Sequence, residues 1–206
     1  MAYIAVLDAN VLWPQSLRDT LVRLAVHDLY RAAWTVKILD EMAISLVRNG
    51  RTTQERIERT RDLMMRNCPH MLVEGYEELI PAMTNDPKDR HVLAAAVRIN
   101  ADAILTFNVK DFPGHACEPY GVEILTPNDF LSGLWIGDAV SVVRVLIEQV
   151  KSLKNPPLTV FELVGGLAQH APEFARDVLQ SGVIQQVLST SNQDVPAPVY
   201  RTLSSL

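Results

Sequence analysis

Cysteine is scarce in this chain. Cys68 and Cys117 are the only two in 206 residues, which excludes a disulfide framework and suits a reducing compartment. Their neighbourhoods, Cys68-Pro69-His70 and His115-Ala116-Cys117, hold ligand types that zinc uses. One intervening residue is tighter than the usual two to four, and buried or loop thiols are the plainer reading. No uncharged apolar run reaches the length of a transmembrane helix, and the N-terminus lacks a signal-peptide layout. A soluble cytoplasmic protein with no membrane association is therefore expected. Positive charge is in deficit as well, with 19 Lys and Arg against 24 Asp and Glu and a net charge of -5. That balance speaks against a basic nucleic-acid footprint, unless bound divalent cations supply the missing charge.

What is present is an ordinary globular composition, 48% hydrophobic and 21% charged, with length enough for one domain or for one domain plus a small appendage. Tyr3 to Leu7 reads as a buried strand that runs into Asp8. Ser16 to Ala33 repeats apolar residues at helical spacing. Ile38 to Arg48 reads as a second helix, with Thr35 a candidate N-cap and Gly50 beyond its end, and Thr52 to Asn67 as a third. Met71 to Val73 suits a short strand. Asp86-Pro87 suits the cap and first position of a helix running through HVLAAAV to about Asn100. Strands follow at Ala103 to Phe107 and Gly121 to Leu125, and Thr126-Pro127 repeats the cap-plus-proline start.

Strands separated by helices, apolar throughout rather than alternating, predict an α/β fold with a central parallel sheet, whose sites lie at the carboxyl ends of the strands. After about residue 132 no strand is expected. Asp138 to Lys154, Leu158 to His170 and Pro172 to Leu188 read as a helical extension, packed on the first domain or offered to a partner, and SNQDVPAPVYRTLSSL as a loose tail. The expected division is 1–132 and 133–206.

Asp8 stands where a core strand ends, a place for a carboxylate only if it has a use. If the strands ending at Leu7 and Leu105 are neighbours, Asp8 and Asp111 share a pocket, with Asp89 reaching it from a helix start and Glu41 from a facing helix. Carboxylates gathered in one cleft repel unless a cation binds, and hard oxygen donors suit Mg²⁺ or Mn²⁺. Singly each acid has a bland reading. Asp86 would be a helix cap, Asp89 a complement to the helix dipole and Glu41 an exposed helix residue. The chemistry lies in the set.

The series VLDANVL, ILDEM and DPKDRHVLAAAVRINADAILTFNVKDFP resembles the PIN-domain ribonucleases. It is most similar to the VapC-type toxins of toxin–antitoxin pairs, in the branch with a helical C-terminal extension. The resemblance covers about residues 3 to 132 closely and the later helices in general character. It implies a three-layer α/β/α fold and metal-dependent endoribonuclease activity with Mg²⁺ or Mn²⁺. The partners it implies are an RNA substrate, a cognate antitoxin and a second copy of the chain. The catalytic acids would be Asp8, Glu41, Asp89 and Asp111, with Asp8, Asp89 and Asp111 holding metal. Asn10, Thr106, Asn108 and Asp86 would support them.

The segment Arg48 to Arg66 holds six arginines against Glu55, Glu58 and Asp62. Arg48, Arg51, Arg56 and Arg59, with Arg18 nearer the acids, could guide an RNA backbone toward the cleft. Equally, the segment could be a solvated helix laced with pairs such as Glu55–Arg59. His91 reads as structural, and Trp13-Pro14 as shaping the loop over the site. No site residue is expected beyond about residue 133. Two rival functions remain. A haloacid-dehalogenase-like phosphatase also begins with a strand-end aspartate, but it wants a second aspartate where Asn10 stands. A non-catalytic RNA- or protein-binding adaptor would need no divalent ion.

Overall fold

The computed structural model describes residues 2–154 and 156–190. The tail from residue 191 onward, expected to be loose, lies outside the described residues. A four-stranded sheet forms the centre, in the order β2-β1-β3-β4. Its strands are β1 (Ile4–Leu7), β2 (Arg31–Ala33), β3 (Ala103–Leu105) and β4 (Glu123–Leu125), and every pairing is parallel. Parallel strands need helical crossovers, which cover the sheet and leave its strands apolar throughout. Ala5, Val6, Leu7, Ala103, Ile104 and Leu105 are accordingly buried completely. The architecture is a three-layer α/β/α domain with C-terminal helices, as the sequence suggested.

The crossovers start with a short turn of helix, α1 (Ala9–Leu12), followed by α2 (Gln15–Val26). The sequence pattern had extended α2 to Ala33. The chain instead leaves the helix at His27, passes Asp28 with φ +59°, and forms β2. Apolar residues in so short a strand are indistinguishable from another helical turn until a pairing partner is known. Next come α3 (Val36–Arg48) and α4 (Gln54–Asn67). The Thr35 hydroxyl accepts a hydrogen bond from Ile38 N at 3.1 Å, so the expected N-cap is real. Met71 to Val73 forms no strand of its own, only an isolated parallel bridge between Leu72 and Trp34.

The helix α5 spans Arg90–Arg98, a few residues later than Asp86-Pro87 suggested. Asp86 is not its N-cap. Asp86 Oδ1 accepts from Lys88 N at 3.1 Å and closes a turn ahead of the helix. A four-residue helix, α6 (Gly114–Cys117), precedes β4. Cys117 and Cys68 are both free and buried, and burial pushes the Cys68 thiol up to about 11.

The extension consists of α7 (Pro127–Gly137), α8 (Ala139–Ser152), α9 (Val160–Leu167), α10 (Pro172–Gln180) and α11 (Val183–Thr190). Thr126 caps α7 through Asp129 N at 3.2 Å, as its sequence predicts. The stretch Pro172 to Leu188 is two helices rather than one, broken at Gly182, whose φ of +74° a helix cannot hold.

The extension packs on the sheet domain. Phe130 on α7 meets Tyr30 edge-on at 4.7 Å between ring centroids. Between α2 and α8 the contact is polar and buried. Thr20 Oγ1 donates to Gln149 Oε1 at 2.8 Å, Gln149 Nε2 donates to Ser16 O at 3.2 Å, and Arg23 Nη1 reaches Glu148 at 3.3 Å. Among the described residues no single helix is long and apolar enough to cross a membrane.

Candidate active site

The register of β1 against β3 sets Leu7 opposite Leu105, so both strands end at the same level. Asp8 N donates to Leu105 O at 3.0 Å, which places Thr106 beside Asp8. Asp8 is 5% exposed. Its Oδ1 accepts from Ala9 N at 2.7 Å and caps α1, while its Oδ2 accepts from Thr106 Oγ1 at 2.7 Å and Asn10 Nδ2 at 2.6 Å. Thr106 Oγ1 accepts in turn from Asn108 N at 3.0 Å and from Asn10 Nδ2 at 2.9 Å, and Asn10 Oδ1 accepts from Phe107 N at 3.0 Å. The polar residues expected to support the first acid thus form one connected frame around it. Burial raises the Asp8 carboxyl above its usual range. The Thr106 and Ala9 hydrogen bonds pull it back, and Glu41 pushes it up again.

A cavity of about 630 Å³ opens at these strand ends. Asp8, Glu41 and Asp89 line it, together with Asn10 and Asn108. Glu41 projects from α3, six residues past the Thr35 cap, with its side chain 39% exposed. Asp89 immediately precedes α5, where the helix terminus favours negative charge. Its Oδ2 is buried without a hydrogen-bond partner. The Asp89 carboxyl is pushed up to about 6, first by burial and next by the Asp8 charge, with Lys88 opposing.

Asp111 stands differently. It is 8% exposed and does not line the cavity. Lys88 joins it to the site, its Nζ lying 3.1 Å from Asp111 Oδ2 and 3.9 Å from Asp89 Oδ2. The backbone supports this rim, since Asp86 N donates to Asp111 O at 3.1 Å. Asp86 faces Lys88 and Asp89 from outside the cavity.

The donors are hard oxygens, and two of them, Asp89 Oδ2 and Asp111 Oδ2, are buried with no hydrogen-bond partner, which suits a small divalent cation. Among the described residues, however, no three acidic, histidine or cysteine side chains stand together as a preformed ion cage. The Lys88 ammonium already supplies positive charge between two of the expected ligands.

Sequence reasoning missed two contributions. His91, read as structural, is 1% exposed and brings Nε2 to 3.0 Å from Glu41 Oε1, off the line of a hydrogen bond. The second lies beyond residue 133, where no site residue was expected. Gln169 and His170, in the turn between α9 and α10, line the acid cavity, and His170 packs on Phe107 with ring centroids 5.8 Å apart. Nothing in the sequence marks that turn, because its place follows from how α8 and α9 dock on α2.

The arginines divide. Arg51, Arg56, Arg59 and Arg18 line a second groove, also about 630 Å³, which shares Trp13, Pro14, Gln169 and His170 with the first. Arg18 is 4% exposed, and its Nη1 donates to Leu12 O at 2.7 Å. Burial lowers its guanidinium to about 10, against the pull of Asp19. Arg48 is exposed and lines neither space.

A parallel sheet ending in Asp8, with Glu41 and Asp89 gathered at its carboxyl edge, matches the class to which the first half of the chain is similar. Residues 5–110 match the PIN domain, and the chain belongs to that family. Residues 127–180 match the VapC50 C-terminal domain, so the helical extension too is a recognised unit. The chain is similar to "Putative ribonuclease VapC50" of Mycobacterium tuberculosis, at 43% identity over 101 residues, which are 49% of this chain and 60% of that protein. The match thus spans less than two thirds of the relative's length. No solved structure matches.

Proposed function

We propose that the protein is a metal-dependent endoribonuclease that hydrolyses RNA phosphodiester bonds and acts as the toxin of a toxin–antitoxin pair in the cytoplasm. The observation that carries this reading is the convergence of Asp8, Glu41 and Asp89 on one open cleft at the strand ends, with Asp89 Oδ2 buried and unpartnered. Membership of the PIN family supports it and displaces the phosphatase alternative. The family resemblance adds a cognate antitoxin and a homodimer as expected partners; the division expected after residue 132 falls inside α7, so the working boundary is the start of that helix.

In this reading Asp8 and Asp89, with Asp111 at the rim, hold Mg²⁺ or Mn²⁺. When bound, the ion activates a water and steadies the leaving oxygen. The protein's own residues do the rest. Thr106 and Asn10 hold the Asp8 carboxylate in one orientation. Glu41 Oε1, half-exposed on the cleft wall and steadied by His91, accepts the proton of an attacking water. Asp89 carries the charge that burial makes costly, which a cation relieves. Lys88 balances the charge of Asp89 and Asp111, and its ammonium would compete with a cation held by those two acids.

The test is cleavage of RNA by purified protein with Mg²⁺ or Mn²⁺, stopped by a chelator and abolished in Asp8→Asn and Asp89→Asn. Cleavage that survives exhaustive chelation would refute the metal dependence. Absence of both cleavage and divalent-ion binding in the parent would instead leave the adaptor reading.

A further inference from the structure

We infer that the arginine groove continues the acid cleft and seats the sugar–phosphate backbone of the RNA strand to one side of the cut bond, with the helical extension supplying the wall between the two. This deepens the nuclease reading and rests on it.

The groove departs from the electrostatics of the chain as a whole. The protein carries a net charge of -5, yet Arg18, Arg51, Arg56 and Arg59 line this space and no carboxylate does. On α4 itself, the pairs that would have neutralised Arg56 and Arg59 do not form. Glu55–Arg59 is not an ion pair, and Glu58 accepts instead from Gln54 Nε2 at 2.6 Å. Arg61 turns to Asp40 and Arg66 to Asp62, both away from the groove. Among the described residues Arg51, Arg56 and Arg59 have no ion-pair partner. Guanidinium groups kept clear of carboxylates form an anion-binding surface, and their planar forks match phosphate oxygens.

Position selects the anion. Trp13, Pro14, Gln169 and His170 line both spaces, so a ligand can run from one to the other without leaving the surface. Arg51 lies over the Trp13 ring at 5.5 Å, which fixes a guanidinium and an aromatic face at this junction. On the acid side, Phe107 is 39% exposed and meets His170, a second aromatic face on which a base can stack. A groove that binds phosphates and is edged by aromatic rings, beside a cleft that cuts a phosphodiester, fits one single strand spanning both. An acidic peptide would use the arginines but would leave the rings and the cleft without purpose.

The test uses the full chain and a fluorescein-labelled single-stranded RNA, with chelator present to prevent cleavage, by anisotropy across a range of salt. Arg56→Gln/Arg59→Gln removes two exposed groups from a helix surface. The double variant should bind on the order of tenfold more weakly at low salt, and its log–log salt slope should be shallower by about 1.4, because each phosphate contact on a single strand contributes about 0.7. Arg56→Lys/Arg59→Lys should restore the slope. With Mn²⁺ present, the Gln variant should raise KM several-fold and leave kcat near the parent's. Matching thermal unfolding would show that each variant is folded. If the parent cuts RNA while the Gln variant binds and cuts it with parental slope and KM, the groove serves another anion and the inference fails alone. If the parent neither binds nor cuts RNA, the nuclease reading falls and takes the inference with it.

Discussion

Replacing Thr106 by valine keeps the shape of a side chain that is completely buried and removes one oxygen. That oxygen donates to Asp8 Oδ2 at 2.7 Å and accepts from Asn108 N at 3.0 Å and Asn10 Nδ2 at 2.9 Å. A hydrogen bond to a charged group contributes about 1.5–3 kcal/mol, and leaving a partly buried N–H without its acceptor costs about 1 kcal/mol more. Thr106→Val should therefore lose about 2–4 kcal/mol of stability at neutral pH without metal. Thr106→Ser, which keeps the oxygen and deletes one buried methyl, should lose only about 1 kcal/mol.

The pH dependence identifies the cause. The Thr106 hydroxyl lowers the Asp8 carboxyl, opposing burial, so it favours the charged form. Removing it raises the folded-state value further. The parent's advantage over Thr106→Val should be full above that value and shrink as pH falls through it. Urea unfolding of the three proteins in chelator, at neutral and acid pH, measures this directly. Equal losses in Thr106→Val and Thr106→Ser, or a valine deficit that does not diminish with acid, would show that the hydroxyl is not what holds Asp8.

Asp89, pushed up to about 6 from 3.8, should make the metal-free protein lose stability as pH rises from about 4 to about 6, since the folded state holds that proton more tightly than the unfolded chain. Asp89→Asn should remove this component, and parallel pH–melting curves for the two proteins would contradict the assignment. Lys88→Met should tighten Mn²⁺ binding at pH values where Asp89 is ionised, by removing a competing ammonium 3.1 Å from Asp111. Weaker or equal binding by isothermal titration would show that the lysine does not stand in the cation's way. Gln149→Ala should cost about 1–3 kcal/mol through its two lost hydrogen bonds, although Thr20 Oγ1 and Ser16 O keep each other as partners, while denaturation followed at the sheet and at the extension stays a single transition. Two separate transitions would mean that the α2–α8 contact does not couple the two parts.

The strands and acids were legible in the sequence because each depends on a local signal. A buried apolar run ending in Asp8, and another ending in Thr106, are readable without knowing what packs on them, and parallel pairing then forces their ends together. The Thr35 and Thr126 caps were legible for the same reason. β2 was not, since Arg31 to Ala33 continues a helical pattern and becomes a strand only by pairing with Ile4 to Val6. Asp86-Pro87 imitated a helix start, and the turn closed by Lys88 N took its place. The position of Asp111 behind Lys88, and the arrival of Gln169 and His170, are products of tertiary packing that leave no local trace.

The hydrogen bond between Thr106 and Asp8 joins residues 98 apart in the chain, and the wall at His170 is laid down later still. A ribosome adding about 5–20 residues per second therefore releases β1 several seconds before the strand that completes its carboxylate frame. In the nascent chain Asp8 has only its neighbours Ala9 and Asn10 to orient it. Contacts so distant in sequence form late in folding, after the cost of closing the loop has been met. If the protein is a nuclease, activity cannot leak from truncated translation products. A chain stopped anywhere before β3 has no cleft, and one stopped before α9 lacks the wall that both grooves share. In that reading activity would begin only after Thr106 and β3 have emerged, and this leaves the synthesis time of everything up to that strand for an inhibitor to be made first.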